Sequence, residues 1–139
     1  MKISDIELIM LLRKNARMTY SELAKHFDVS DTAIRKRIKK LESEGVIRGY
    51  TVEVDPRKLG FNAVAIIGID VKPEYYVSLI DELKNMKEIV SLYATTGDHM
   101  ILAECWFRTS DDLARFVRKL REMEGVTRIC PAIILEKIK

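Results

Sequence analysis

Cysteine is nearly absent: Cys105 and Cys130 are the only two in 139 residues. That number and spacing exclude a disulfide framework and a thiolate metal site. Long apolar runs are missing too. None approaches the roughly 18 residues a membrane-spanning helix needs, so no membrane partner is expected. The opening Met1-Lys2-Ile3-Ser4-Asp5 lacks the apolar core of a secretory signal, and the reducing cytoplasm is the expected compartment. Of two histidines, His26 is expected to face solvent, and His99 has no second ligand at metal spacing. No glycine loop for nucleotides and no nucleophile motif occurs, so neither a cofactor nor a metal is expected.

What remains is a soluble globular composition, 47% apolar and 32% charged, with a charge asymmetry. The net charge is +3, yet residues 1–50 hold 11 Lys/Arg against 7 Asp/Glu, and residues 51–139 hold 13 against 14. An anionic partner at the N-terminal end is the natural inference.

That end reads as three short helices. Ser4 with Glu7, and Thr19 with Glu22, form S/T-x-x-E capping boxes. The first predicts a helix over about 5–15 with Ile6, Ile9, Met10 and Leu12 as its apolar stripe. The second opens a helix that turns Leu23, Ala24 and Phe27 inward. Asp28 stands in the following turn, where glycine is common, and aspartate tolerates a left-handed backbone better than most residues. Ser30 caps a third helix that Gly45 stops.

The third helix has two unlike faces. At 100° per residue Ile34, Ile38 and Leu41 share a narrow arc, while Thr32, Lys36 and Lys39 lie almost opposite, flanked by Arg35 and Lys40. Such a helix fits the major groove of double-stranded DNA, its N-terminal Ser30, Asp31 and Thr32 near base edges. Lys39 and Lys40 would neutralise phosphates, which position the protein without specifying a sequence. Solvated surface is the plain alternative for one basic helix. The short helix, tight turn and basic helix occurring together favour DNA.

Residues 46–54 alternate as an exposed strand, and Asp55-Pro56 breaks it. The chain therefore divides into a helix-turn-helix module at 1–50, a connecting strand or hinge at 51–61, and a second domain at 62–139. In that domain strands are predicted at about 62–71, 89–95, 100–107 and 126–136. Helices are predicted at 74–86, with Val77, Ile80 and Leu83 inward, and at 110–123, with Leu113, Phe116, Val117 and Leu120 inward. The βαββαβ order makes an α+β, ferredoxin-like sandwich. This order does not pair the strands bearing Cys105 and Cys130, and both are expected as buried thiols. Right-handed crossovers put both helices on one face. The first and third strands are apolar in nearly both registers, so the open face calls for a cover, and a second copy of the chain is the simplest. The loop Thr95–Met100 reads first as a tight hairpin around Gly97-Asp98. Its alternative is a ligand loop in which Asp98 holds an ammonium group.

Taken together, the capped helices with Asp5-Ile6, the run Ile34–Glu42 followed by Gly45-Val46-Ile47, Gly49-Tyr50-Thr51, Asp55-Pro56, Leu59-Gly60 and Thr96-Gly97-Asp98 resemble the Lrp/AsnC, or feast/famine, regulators. The likeness spans essentially the whole chain. The ending Cys130–Lys137 with Gly97–Met100 is most similar to the archaeal LrpA branch. The resemblance implies a winged helix-turn-helix followed by a RAM domain. It implies a transcription regulator and repressor, often of its own gene, acting as a homodimer that assembles into tetramers or octamers. It also implies an amino-acid effector near the glycine-aspartate loop, at Thr96, Gly97, Asp98, His99 and Met100. Members that sense amino acids commonly carry a second acidic residue where this chain has Met100. Two other readings are a loosely specific DNA-architectural protein and an enzyme like the sirohaem decarboxylases similar to this family. For the latter His99 is the one candidate acid, and the cationic helix would have no role.

Overall fold

Three hydroxyls start the three N-terminal helices. Ser4, Thr19 and Ser30 accept hydrogen bonds from the backbone N–H groups of Glu7, Glu22 and Ala33, at 3.2, 3.1 and 3.1 Å. Each satisfies one amide that the first helical turn leaves without a partner. In the computed structural model, which describes residues 2–139, they open α1 (Asp5–Lys14), α2 (Tyr20–Phe27) and α3 (Asp31–Ser43). Asp28 closes α2 in the left-handed conformation, φ 54° and ψ 52°, and its N–H reaches the carbonyls of Ala24 and Lys25. Beyond Glu44, Gly45 takes φ 76° after α3.

The chain separates into two compact units, one ending at Glu53 and one starting at Val54. The first has its own core of Leu8, Leu12, Leu23, Ala24, Phe27, Ile34, Ile38 and Leu41, closed by Ile3. Of the stripe expected of α1, Leu12 and the partly buried Ile9 hold, but Ile6 and Met10 do not. Leu8 and Leu12 are buried, whereas Ile6 is 79% and Met10 54% exposed. Residues two apart on a helix point about 200° away from each other, so a face built on Leu8 turns Ile6 and Met10 outward. The connecting segment is also corrected: residues 46–54 form no strand. Alternation suits a strand, but a ladder also needs a neighbouring backbone to take up its N–H and C=O groups. Among the described residues no strand pairs with it.

In the second unit a 3-10 turn, Pro56–Leu59, leads into β1 (Ala63–Val71). Then follow a 3-10 turn at Pro73–Tyr75, α4 (Tyr76–Leu83), β2 (Ile89–Ala94), β3 (Ile101–Phe107), α5 (Ser110–Arg121) and β4 (Val126–Ile133). The sheet order is β2-β3-β1-β4 with every neighbouring pair antiparallel, the split βαβ arrangement expected. Alternate residues of β1 and β3 (Ala65, Ile67, Ile69; Ile101, Ala103, Cys105) pack with Leu79 and Leu83 of α4 and with Leu113, Phe116, Val117 and Leu120 of α5.

The inward face of α4 keeps Leu83 and Ile80 as expected, but not Val77. Val77 is 72% exposed, and Leu79 with Leu83 makes the buried i, i+4 pair. At 100° per residue Val77 falls outside the arc shared by Leu79, Ile80 and Leu83, so Leu79 takes its place in the core. The cysteines sit on β3 and β4, separated by β1. Cys105 is buried, and burial pushes its thiol up to about 12. Cys130 is only half-buried, contrary to expectation, because it lies on the face opposite the helices, across from Gly68.

Candidate functional site

The outward face of α3 is built by the burial of its other side. With Ile34, Ile38 and Leu41 fixed in the core, Thr32, Lys36 and Lys39 are exposed. The remaining candidates on this helix differ in their surroundings. Ser30 uses its hydroxyl as the N-cap, and the Asp31 carboxylate accepts a 2.6 Å hydrogen bond from Ser21 Oγ. Ser30 thus starts α3, and Asp31 ties that start to α2. Arg35 lies over the Tyr20 ring, 5.3 Å from its centroid. Lys40 stands 3.9 Å from Glu44, an exposed pair too loose to withhold the ammonium from another anion. Arg37, central in the basic run, turns away from this face and bonds the Ile3 carbonyl and Asp5. His26 is exposed as expected and pairs with Glu7 at 2.8 Å.

In the second unit, residues 95–100 form the tight hairpin joining β2 to β3. The Thr95 N–H donates to the Met100 carbonyl at 2.9 Å, the Thr95 hydroxyl donates to the His99 carbonyl at 2.7 Å, and Gly97 takes φ 94°. The positive φ explains the glycine. Thr96, Gly97 and Asp98 are exposed, while the Met100 side chain packs against the helix-covered core.

Two residues that sequence reasoning missed hold this loop. Asp70 Oδ2 lies 3.0 Å from His99 Nδ1 and accepts from Arg128 Nε at 2.9 Å, while Asp70 Oδ1 accepts from the Met100 N–H at 3.0 Å. Arg128 Nη2 donates to the Asp98 carboxylate at 2.9 Å and to the Asp98 carbonyl at 2.7 Å. Burial works to raise the Asp70 carboxyl, but the bonds from His99, Arg128 and the Met100 amide prevail and hold it below the usual carboxylate range. Arg128 does the same to Asp98, and both carboxylates raise Arg128 in turn. A signal was available: Asp70 interrupts an apolar strand, and the antiparallel β1–β4 register sets it opposite Arg128.

The His99 ring covers Gly68. A Cβ built there would collide with its Cγ, Cδ2 and Nε2 atoms, so the strand needs glycine for the ring to lie flat against it. Among the described residues no group of three or more His, Cys, Asp or Glu gathers as a metal site, and no helix is long and apolar enough to cross a membrane.

Residues 1–48 match the family described as winged helix-turn-helix DNA-binding, and residues 64–139 match the Lrp/AsnC ligand binding domain. Over 136 residues the chain is 44% identical to the HTH-type transcriptional regulator LrpA of Pyrococcus horikoshii, covering 97% of this chain and 96% of that protein. Among solved structures it resembles E. coli AsnC, with a TM-score of 0.82, 29% identity, and 100% and 96% of the two chains covered. It also resembles B. subtilis LrpC, with a TM-score of 0.83, 26% identity, and 100% and 99% covered.

Proposed function

The chain belongs to the Lrp/AsnC family of DNA-binding transcriptional regulators, and on that premise we propose that it reads specific sites in double-stranded DNA as a homodimer. In this reading α3 of each protomer enters the major groove. Thr32 and Lys36 meet base edges, Arg35, Lys39 and Lys40 meet phosphates, and Ser30 and Asp31 fix the start of the helix at the groove. The observation that carries the reading is the division of α3 into a buried Ile34–Ile38–Leu41 side and an exposed cationic side. The named relative is a regulator, which favours this reading over the enzyme alternative.

The dimer reading is supported by the sheet face away from the helices, where Ile66 is 39% exposed beside the half-buried Leu102 and the exposed Tyr93. A second copy would cover it, and tetramers or octamers would follow by association of dimers. The regulator acts as a repressor, its own gene included. An amino-acid effector at Thr96–Met100 would offer its ammonium to Asp98, in competition with Arg128, which already neutralises that carboxylate.

Footprinting on the upstream region of the chain's own gene, with and without a pool of amino acids, tests this. Discrete protection phased by helical turns supports the specific dimer. Continuous coverage of any duplex would replace it with an architectural role. A footprint indifferent to every amino acid removes the effector while leaving the DNA reading intact.

A further inference from the structure

Tyr20 and Arg35 meet across the two helices of the DNA-binding module. Tyr20 is the first residue of α2, Arg35 lies in the second turn of α3, and the guanidinium carbon stands 5.3 Å from the ring centroid. A second tie joins the same helix starts: Ser21 Oγ donates to Asp31 Oδ2 at 2.6 Å. The first residues of α2 thus hold both the N-terminus of α3 and the first cation of its basic run.

Arg35 differs from its neighbours in this respect. Lys36 and Lys39 extend from the exposed face on flexible stems, whereas a planar guanidinium can rest on an aromatic face without losing the N–H donors at its edge. An arginine already held needs to give up less side-chain freedom when it meets an anion. Its place is also particular. Arg35 falls off the Thr32–Lys36–Lys39 line toward α2, at the edge of the cationic face rather than its centre. With the centre of that face toward base edges, the edge meets the sugar-phosphate backbone.

We propose that Tyr20 is a positioning residue for DNA binding, its ring bracing Arg35 so that the guanidinium meets a phosphate at the wall of the groove. This rests on the reading of α3 as the groove-binding helix. Tyr20 need not touch DNA; it acts through Arg35. The phenol hydroxyl has no part in it, and the ring alone suffices.

The test measures binding of the full-length chain to a random-sequence duplex across a salt series. The variants are Tyr20→Phe, Tyr20→Leu, Arg35→Gln, Arg35→Lys, the Tyr20→Leu/Arg35→Gln double variant and Lys36→Ala, each first checked for cooperative thermal unfolding. Tyr20→Phe keeps the ring and should bind like the parent. Tyr20→Leu keeps apolar bulk but no ring, and should weaken binding about two- to five-fold, the size of an exposed cation–π contact. Arg35→Gln should lower the slope of log affinity against log salt by about one. Arg35→Lys, which keeps the charge without a flat guanidinium, should keep the slope but bind more weakly. In the Arg35→Gln background, Tyr20→Leu should have no further effect.

An equal Tyr20→Leu loss with and without Arg35 overturns the inference, since a merely structural role of the ring is indifferent to Arg35. So does a Tyr20→Phe variant as weak as Tyr20→Leu, or an Arg35→Gln variant with unchanged affinity and slope. Lys36→Ala, assayed on a footprinted site, separates the two levels. If it loses affinity there while the Tyr20–Arg35 pair proves uncoupled, the brace fails and the groove reading stands. If neither Lys36 nor Arg35 affects any duplex, both fall.

Discussion

Arg37 donates from Nη1 to the Asp5 carboxylate at 2.6 Å, joining the middle of α3 to the first residue of α1. The same nitrogen donates to the Ile3 carbonyl at 2.9 Å. The central cation of the basic run therefore serves the packing of its own module rather than a partner. Arg37→Ala is expected to lower the stability of that module by about 1 kcal/mol, since the pair is only part-shielded from water. Its DNA salt dependence should stay that of the parent. Urea unfolding and a salt titration on one preparation check both halves.

Thr32→Ala and Lys36→Ala should each cost about 1–3 kcal/mol on a footprinted site and much less on random duplex, the signature of a base contact. Lys40→Ala should weaken binding to every duplex alike and flatten the salt slope by about one. Competition assays comparing site and random DNA discriminate the two classes. Equal loss on all sequences for Lys36→Ala removes it from readout.

Gly68→Ala puts a methyl group where the His99 ring lies. The ring has to move, taking Nδ1 from Asp70, and the hairpin at 95–100 should loosen. A loss of about 1–3 kcal/mol is expected, as for overpacking elsewhere. Hydrogen exchange should rise first at the Met100 amide, which donates to the same carboxylate.

Asp70 gives the second unit an acid limit. Its carboxyl lies below the ordinary value in the folded chain, so the unfolded state takes up the proton first as pH falls. The stabilisation is therefore fully present above the unfolded value of about 3.9 and is lost as pH drops through the lower folded value. Asp70→Asn should flatten that acid limb. At neutral pH it should also cost about 1–3 kcal/mol, because Arg128 and His99 lose a charged acceptor. Thermal unfolding between neutral and strongly acid pH measures both effects.

Much of this was legible in the residue order where the cause is local. Ser4, Thr19 and Ser30 announced helix starts because a cap and its amide are three residues apart. The inward arc of Ile34, Ile38 and Leu41, and that of Leu113 to Leu120, follow from helical period alone. Local pattern misled where the exact phase depended on a neighbour. Ile6 and Met10 were exchanged for Leu8, Val77 for Leu79, and the alternating 46–54 segment found no strand to pair with.

By itself the sequence determined where the helices begin, which side of α3 is cationic, and that four strands and two helices follow as a split βαβ sandwich, because caps, periods and turns act over a few residues. Only the tertiary structure decided what each charge does. Arg37 turns inward to a residue 32 positions away, and Arg128 crosses 58 positions to Asp70 and 30 to Asp98. A guanidinium goes to whichever carboxylate the fold brings within about 3 Å, and at these separations that is set by strand register and helix packing, not by the neighbouring letters.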